Sequence, residues 1–173
     1  MKIVSHGGNM RYRYCPKCGE KLIEKEIGDE GLVPFCESCS VPWWDAFNTC
    51  IITAVTNEKK EVALLKQDYI NTTYYVCVAG HIKVGESAEE SVVREVKEEL
   101  GLDVEKLQFI QTYPYEGKDM LMLGFWAKAK KADFVLSKEV DEAKWFAFED
   151  ALAQIKEGCI AWQLVKSVIN QAG

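Results

Sequence analysis

Between Gly80 and Leu102 the chain reads GHIKVGESAEESVVREVKEELGL, and this stretch restricts the possible folds more than any other. Ser87 with Glu90 three residues on makes a capping box, and Gly101 stands where a helix leaves through a left-handed residue. A helix from Ser87 to Leu100 is therefore bracketed at both ends. On a wheel of about 100° per residue, Val92, Val93, Val96 and Leu100 form one side. Glu95, Glu98 and Glu99 form another, centred roughly 120° away. The apolar side must dock on a sheet. The acidic side carries like charges three or four residues apart, which repel. A solvated acidic face is one reading. Arg94 among the carboxylates, and the glycine-containing loop Gly80 to Gly85 leading into the helix, favour a ligand instead. Hard divalent cations take oxygen ligands, and Mg²⁺ combines a few carboxylates with waters and phosphate oxygens.

The surrounding segments suit a mixed α/β domain. CIITAV and EVALLKQ, separated by TNEKK, predict a β-hairpin, and TTYYVCVAG predicts a third strand ending at Gly80. Further strands are expected in LQFIQTYPY, MLMLGFWAKA and KWFAF, and short helices around EDALAQIKE and IAWQLVKSVIN. Composition changes near residue 45, before which short polar stretches alternate with Cys, Gly and Pro. The expected organisation is an N-terminal tail at 1–10, a cysteine module at 11–44 and the α/β domain at 45–173. Met10 is an alternative natural start.

In the module, Cys15-Pro-Lys-Cys18 and Cys36-Glu-Ser-Cys39 are separated by seventeen residues. Two-residue spacing lets both thiolates of a knuckle reach one ion, and the insert can fold back as a hairpin. Four thiolates around Zn²⁺ make a closed tetrahedral site with no position for substrate, so the expected role is structural. Disulfide or redox use is the alternative, disfavoured because the pairs lack a βαβ setting. Tyr12, Tyr14, Phe35, Trp43 and Trp44 could stack on nucleic-acid bases or pack the module against the rest of the chain. Cys50, Cys77 and Cys159 sit in apolar surroundings and read as small buried hydrophobes.

Seven cysteines, with no apolar signal segment at the start, point to a reducing, cytoplasmic setting. No apolar run approaches the roughly 20 residues of a membrane span. A net charge of −6 argues against nucleic-acid binding by charge alone.

The carboxylate stretch resembles the Nudix box, G-x5-E-x7-R-E-U-x-E-E-x-G-U with U aliphatic. It matches at Gly80, Glu86, Arg94, Glu95, Val96, Glu98, Glu99, Gly101 and Leu102. The resemblance implies an α/β/α sandwich with a mixed sheet, here preceded by a small four-cysteine zinc ribbon. It also implies a hydrolase that uses Mg²⁺ or Mn²⁺ to cleave a nucleoside diphosphate linked to another moiety. Carried over, Glu95, Glu98, Glu99 and the Ala79 carbonyl become candidate ligands of the catalytic metal. Gly80, Glu86 and Arg94 become supports of the box. Glu95 or Glu98 of the box, or Glu139 in LSKEVDEAKWF, stands as candidate general base. A four-cysteine ribbon before the domain is similar to the NADH pyrophosphatase branch, which implies NADH, NAD⁺ or a related dinucleotide as substrate. ADP-ribose, a nucleotide sugar, or a non-catalytic sensing or nucleic-acid-binding role are the alternatives. The segment CIAWQLV is similar to that branch's SIARRLI, which places Ala161 at the nucleotide. Where the branch carries SQPWPFPxS, this chain has Thr112 to Met120, keeping Pro114 and an aromatic at Tyr115. Tyr113 and Tyr115 are candidate stacking residues, or equally core. Longer members carry a further N-terminal domain for which 173 residues leave no room. The family resemblance is also compatible with a homodimer.

Overall fold

The computed structural model describes residues 12–44, 46–67 and 71–173. The proposed tail and the alternative start at Met10 lie outside the described residues. The chain forms two compact units, one ending at Ala46 and the other beginning at Phe47.

The first unit is a ribbon of three antiparallel strands, β1 (Ile23–Glu26), β2 (Leu32–Cys36) and β3 (Val41–Pro42), in the order β1-β2-β3. Each cysteine pair forms a tight knuckle that closes on a left-handed residue. Gly19 (φ 78°) follows Cys18 and Ser40 (φ 54°) follows Cys39. Gly19 N–H donates to Cys15 O at 2.8 Å, and Ser40 N–H to Glu37 O at 3.2 Å. Cys15, Leu22 and Cys36 are buried, with Tyr12, Val41 and Trp43 packed on them. Tyr12 and Trp43 are thus part of the ribbon's own core, while Tyr14 and Trp44 are exposed.

The second unit begins with β4 (Asn48–Thr56) and β5 (Glu61–Gln67), the expected hairpin. Its turn is set by Asn57, whose Oδ1 accepts from the N–H groups of Lys59 and Glu61. Next come β6 (Asn71–Val76), β7 (Val78–His81) and α1 (Ala88–Leu100). They are followed by β8 (Val104–Tyr115), β9 (Met120–Ala129), β10 (Glu142–Ala147), α2 (Phe148–Gln154) and α3 (Ile160–Ala172). The sheet runs β10-β5-β4-β9-β8, with β6 on β5, β7 on β4, and β4 parallel to β9.

One expected strand is in fact two. TTYYVCVAG breaks at Cys77: β6 pairs with β5, whereas β7 pairs with Cys50 to Thr53 of β4. The same edge of β4 is taken by β5 at Val55 and Thr56. One continuous strand cannot follow both partners, so the sheet forks at this point.

The two faces of the sheet are covered separately. Val92, Val96 and Leu100 of α1 pack with Ile51, Val55 and Phe125 on one face. Ala151 of α2 and Leu164, Val165 and Val168 of α3 pack with Ile52, Leu64 and Trp126 on the other. Full burial of each large aliphatic side chain stabilises by about 1.5–3 kcal/mol, so both helix layers are strongly held. This is the α/β/α sandwich the box implies. Val93 departs from the wheel: it is 46% exposed and lines a shallow cleft with Leu107 and Lys97. Ser91 and Glu99 are buried instead, so the contact stripe of α1 is turned away from Val93 relative to the apolar side of the wheel. No described helix is long and apolar enough to cross a membrane.

Candidate functional site

In the ribbon, the Sγ atoms of Cys15, Cys18, Cys36 and Cys39 lie within 4.8 Å of one another. Cys18 and Cys36 are 3.5 Å apart and Cys15 and Cys39 4.0 Å. Four sulfurs at about 2.3 Å from a central zinc would be about 3.8 Å apart, so the cluster has tetrahedral dimensions. Cys39 N–H also donates to Cys36 Sγ at 3.4 Å, orienting one knuckle. All seven cysteines of the chain are free thiols.

In the second unit, α1 is bracketed as its ends predict. Ser87 Oγ accepts from Glu90 N–H at 3.2 Å, and Glu90 Oε2 accepts from Ser87 N–H at 2.8 Å. Gly101 adopts φ 72° and its N–H donates to Lys97 O. Arg94 projects from the middle of the helix into the carboxylates. Its Nε donates to Glu86 Oε1 at 2.6 Å and its Nη2 to Glu86 Oε2 at 2.9 Å. Its Nη1 donates to Glu95 at 2.6 Å and Glu98 at 3.0 Å, and its Nη2 also to the His81 carbonyl at 3.1 Å. Arg94, with the Lys83 N–H, holds the Glu86 carboxyl at about 2, well below the usual range. Arg94 itself is held firmly protonated by Glu86. One guanidinium therefore ties the loop before α1 to the helix and offsets much of the repulsion among the acids.

Glu99 is different. It is 5% exposed; Oε1 accepts from Gln67 Nε2 at 3.0 Å, and Oε2 has no hydrogen-bond partner among the described residues. Burial raises its carboxyl to about 8, with the charges of Glu95, Glu139 and Glu98 adding to the effect. An orphaned buried carboxylate oxygen facing other carboxylates is the donor set a hard dication satisfies, so the residues fit such an ion. Among the described residues, only the four cysteines bring three or more ligand atoms within 4.8 Å. Glu95, Glu98 and Glu99 are neighbours without being converged.

Gly80 is required by packing. A Cβ there would run into the Glu95 carboxylate, so only glycine lets β7 lie against that side chain. Gly80 and Ala79 also border a cavity of about 660 Å³ on the α3 face of the sheet. Ligand pockets fall at about 300–1,000 Å³. The cavity runs from Gln67 past β7 to Tyr115, Lys118 and Met120, with Cys159 and Ala161 from the start of α3 on its wall.

The remaining candidates separate clearly. Ala161 and Tyr115 line the cavity. Tyr113 does not: it is 4% exposed within the α3-side core, its ring against Gly124. Both tyrosines lie on one strand face, but the sheet covers Tyr113 and leaves Tyr115 at the rim. Of the two readings open for Tyr113, stacking or core, its burial favours the core. Glu139 is exposed in the turn before β10, its N–H donating to Ser137 Oγ at 3.3 Å, and its charge is felt at Glu99. Cys50 and Cys77 are buried as expected, Cys159 only partly, and all three border the cavity. Gln67 is the residue sequence reading missed. Its partner Glu99 is 32 positions away, and nothing local marks the pairing.

Residues 47–163 match the NUDIX domain family. The chain is 30% identical to the NAD-capped RNA hydrolase NudC of Vibrio atlanticus, over 98% of this chain and 62% of that one. It is 27% identical to the protein of the same name from Escherichia coli, over 91% and 60%. It thus spans about three-fifths of the length of these curated relatives. Two solved structures share the fold. A NUDIX hydrolase from Nitrosomonas europaea superposes with a TM-score of 0.71 at 18% identity, covering 92% of each chain. The NUDIX domain of Shewanella oneidensis NrtR, solved with ADP ribose, gives 0.64 at 14% identity, covering 80% and 94%. With its box on α1 and its sheet between two helix layers, the chain belongs to the Nudix hydrolase superfamily.

Proposed function

We propose that the chain is a Mg²⁺- or Mn²⁺-dependent pyrophosphatase of NADH, NAD⁺ or a related dinucleotide. The observation that carries this reading is Glu99: a buried carboxylate with one oxygen unpartnered among the described residues, its charge coupled to that of Glu95, which lies against Gly80 on the wall of a nucleotide-sized cavity. Glu95, Glu98, Glu99 and the Ala79 carbonyl would hold the divalent cation, which supplies charge neutralisation and polarisation of the diphosphate P–O bonds.

The protein's own groups do the rest. Arg94 and Glu86 fix the loop from β7 to α1, and Arg94 orients Glu95 and Glu98 through its hydrogen bonds. Gln67 holds one oxygen of Glu99 and leaves the other without a hydrogen-bond partner among the described residues, available to a cation. Glu98, Glu95 or Glu139 accepts the proton of the attacking water. Glu139 is exposed in the turn before β10. The nucleotide would lie in the cavity with Tyr115 and Ala161 against it. Zn²⁺ in the four-cysteine ribbon would stabilise that unit only, since four thiolates leave no open coordination position.

The names of the relatives favour a second substrate form, an NAD moiety at the 5′ end of RNA. The net charge of −6 favours the free dinucleotide. Chromatographic analysis of products from NADH, NAD⁺, ADP-ribose, diadenosine polyphosphates, dNTPs and NAD-capped RNA, each with Mg²⁺ or Mn²⁺, tests the reading. Release of AMP and nicotinamide mononucleotide from NAD(H) is expected. No cleavage of any dinucleotide with either metal would overturn it.

A further inference from the structure

The segment from Thr112 to Met120 contributes one cation, Lys118, to the cavity. Lys118 is the only lysine or arginine on the cavity wall, and no Asp or Glu lines that wall among the described residues. Its Nζ lies 5.8 Å from the ring centroid of Tyr115. The turn that carries it is fixed: Asp119 takes φ 50° and its carbonyl accepts from Asn48 N–H at 3.0 Å.

Lys118 stands away from the carboxylates. Met120 pairs with Asn48, and Gly80 pairs with Ile51, on opposite sides of β4. Two strand spacings across and three residues along put Met120 and Gly80 about 14 Å apart. Lys118 precedes Met120, in the turn that leads into β9. The Gly80 end of the cavity is therefore the far one from Lys118, and a ligand with its diphosphate beside Glu95 would present another of its parts to Lys118.

We propose that Lys118, with Tyr115 beneath it, binds a phosphate carried on the ribose of the substrate, separate from the diphosphate that is cleaved. The proposal rests on the dinucleotide reading above and adds to it a preference for substrates with an additional ribose phosphate. That group is a 2′-phosphate in a free dinucleotide, or the 3′-phosphate that begins an RNA chain. A cation over an aromatic ring can engage the phosphate while the ring takes the base.

Equilibrium binding tests this without turnover. Calorimetry would compare adenosine 5′-monophosphate with adenosine 2′,5′-bisphosphate and adenosine 3′,5′-bisphosphate, on the wild-type chain and on Lys118→Met and Lys118→Arg. Lys118 is exposed, so neither substitution threatens the fold. One bisphosphate should bind about tenfold more tightly than the monophosphate, the size of a charge-assisted hydrogen bond. Lys118→Met should erase that difference and Lys118→Arg should retain it. An advantage of the 2′ isomer identifies a phosphorylated dinucleotide; an advantage of the 3′ isomer identifies RNA. Equal binding of all three by the wild type, or an advantage that survives Lys118→Met, would overturn the proposal. Hydrolysis of NAD⁺ and NADP⁺ is measured in parallel. Its absence would count against the pyrophosphatase reading alone, because the binding comparison stands without it.

Discussion

The cysteine cluster of the ribbon and the carboxylate cluster of α1 differ in how completely the fold assembles them. In the ribbon, two local turns ending at Gly19 and Ser40 bring four sulfurs within 4.8 Å, at the edge lengths of a tetrahedron. On α1, Glu95 and Glu98 share the Nη1 of Arg94, and Glu99 faces Gln67 instead. The contrast follows from ligand chemistry. Thiolates that serve only to close a structural site can be fixed by sequence spacing. Carboxylates that must admit a diphosphate cannot be closed on one another, and an arginine offsets their mutual repulsion while leaving them reachable.

The largest expected effect breaks the acidic half of this comparison. Glu98→Gln keeps size and hydrogen bonding but removes a charged ligand. Hydrolysis should fall by about 10³-fold or more, equivalent to roughly 4 kcal/mol of barrier. Circular dichroism should be unchanged. Full activity would remove metal chemistry from this helix.

Gly80→Ala probes the same half through packing. The added methyl collides with Glu95, so Mn²⁺ affinity by titration should drop about 10–100-fold, the usual cost of disturbing a ligand's surroundings. Unchanged affinity would mean that Glu95 is no ligand.

Cys36→Ser addresses the thiol half. Elemental analysis should fall from about one zinc per chain to far less, because a four-thiolate site tolerates loss of a buried ligand poorly. The melting of the Nudix unit should change little. Zinc content unaffected by Cys36→Ser would show that the cluster is not the site.

The smallest effect is on pH dependence. Burial raises the Glu99 carboxyl from 4.5 to about 8. Between those values the folded protein holds a proton the unfolded chain has released, so stability of the metal-free protein should fall as pH rises through that window. Glu99→Gln should flatten this slope in denaturant titrations at pH 5 and pH 8. A wild-type slope of the opposite sign would contradict the assigned burial.

What the sequence disclosed was local. The capping box, Gly101, the box spacing and the paired cysteines all act within a few residues, and each stands where the spacing placed it. The misses depend on partners far along the chain. The break at Cys77 exists because β4 shares one edge between β7 and β5, which a continuous apolar run cannot reveal. Val93 belongs to the apolar side of the wheel, but α1 docks through a sector turned toward Ser91 and Glu99, which leaves Val93 facing out. Tyr113 and Tyr115 share a strand face, and only the covering of the sheet separates core from rim. Gln67 carries no mark of its link to Glu99.

The central claim is that the α1 carboxylates grip divalent cations against a diphosphate. Titrating Mn²⁺ into the wild-type chain and Glu99→Gln at pH 7, with a methylene-bridged, uncleavable dinucleotide present, tests it most directly. Saturable binding with proton release in the wild type, strongly weakened in Glu99→Gln, is the predicted result. Mn²⁺ binding that is absent, or identical in the two proteins, would contradict it.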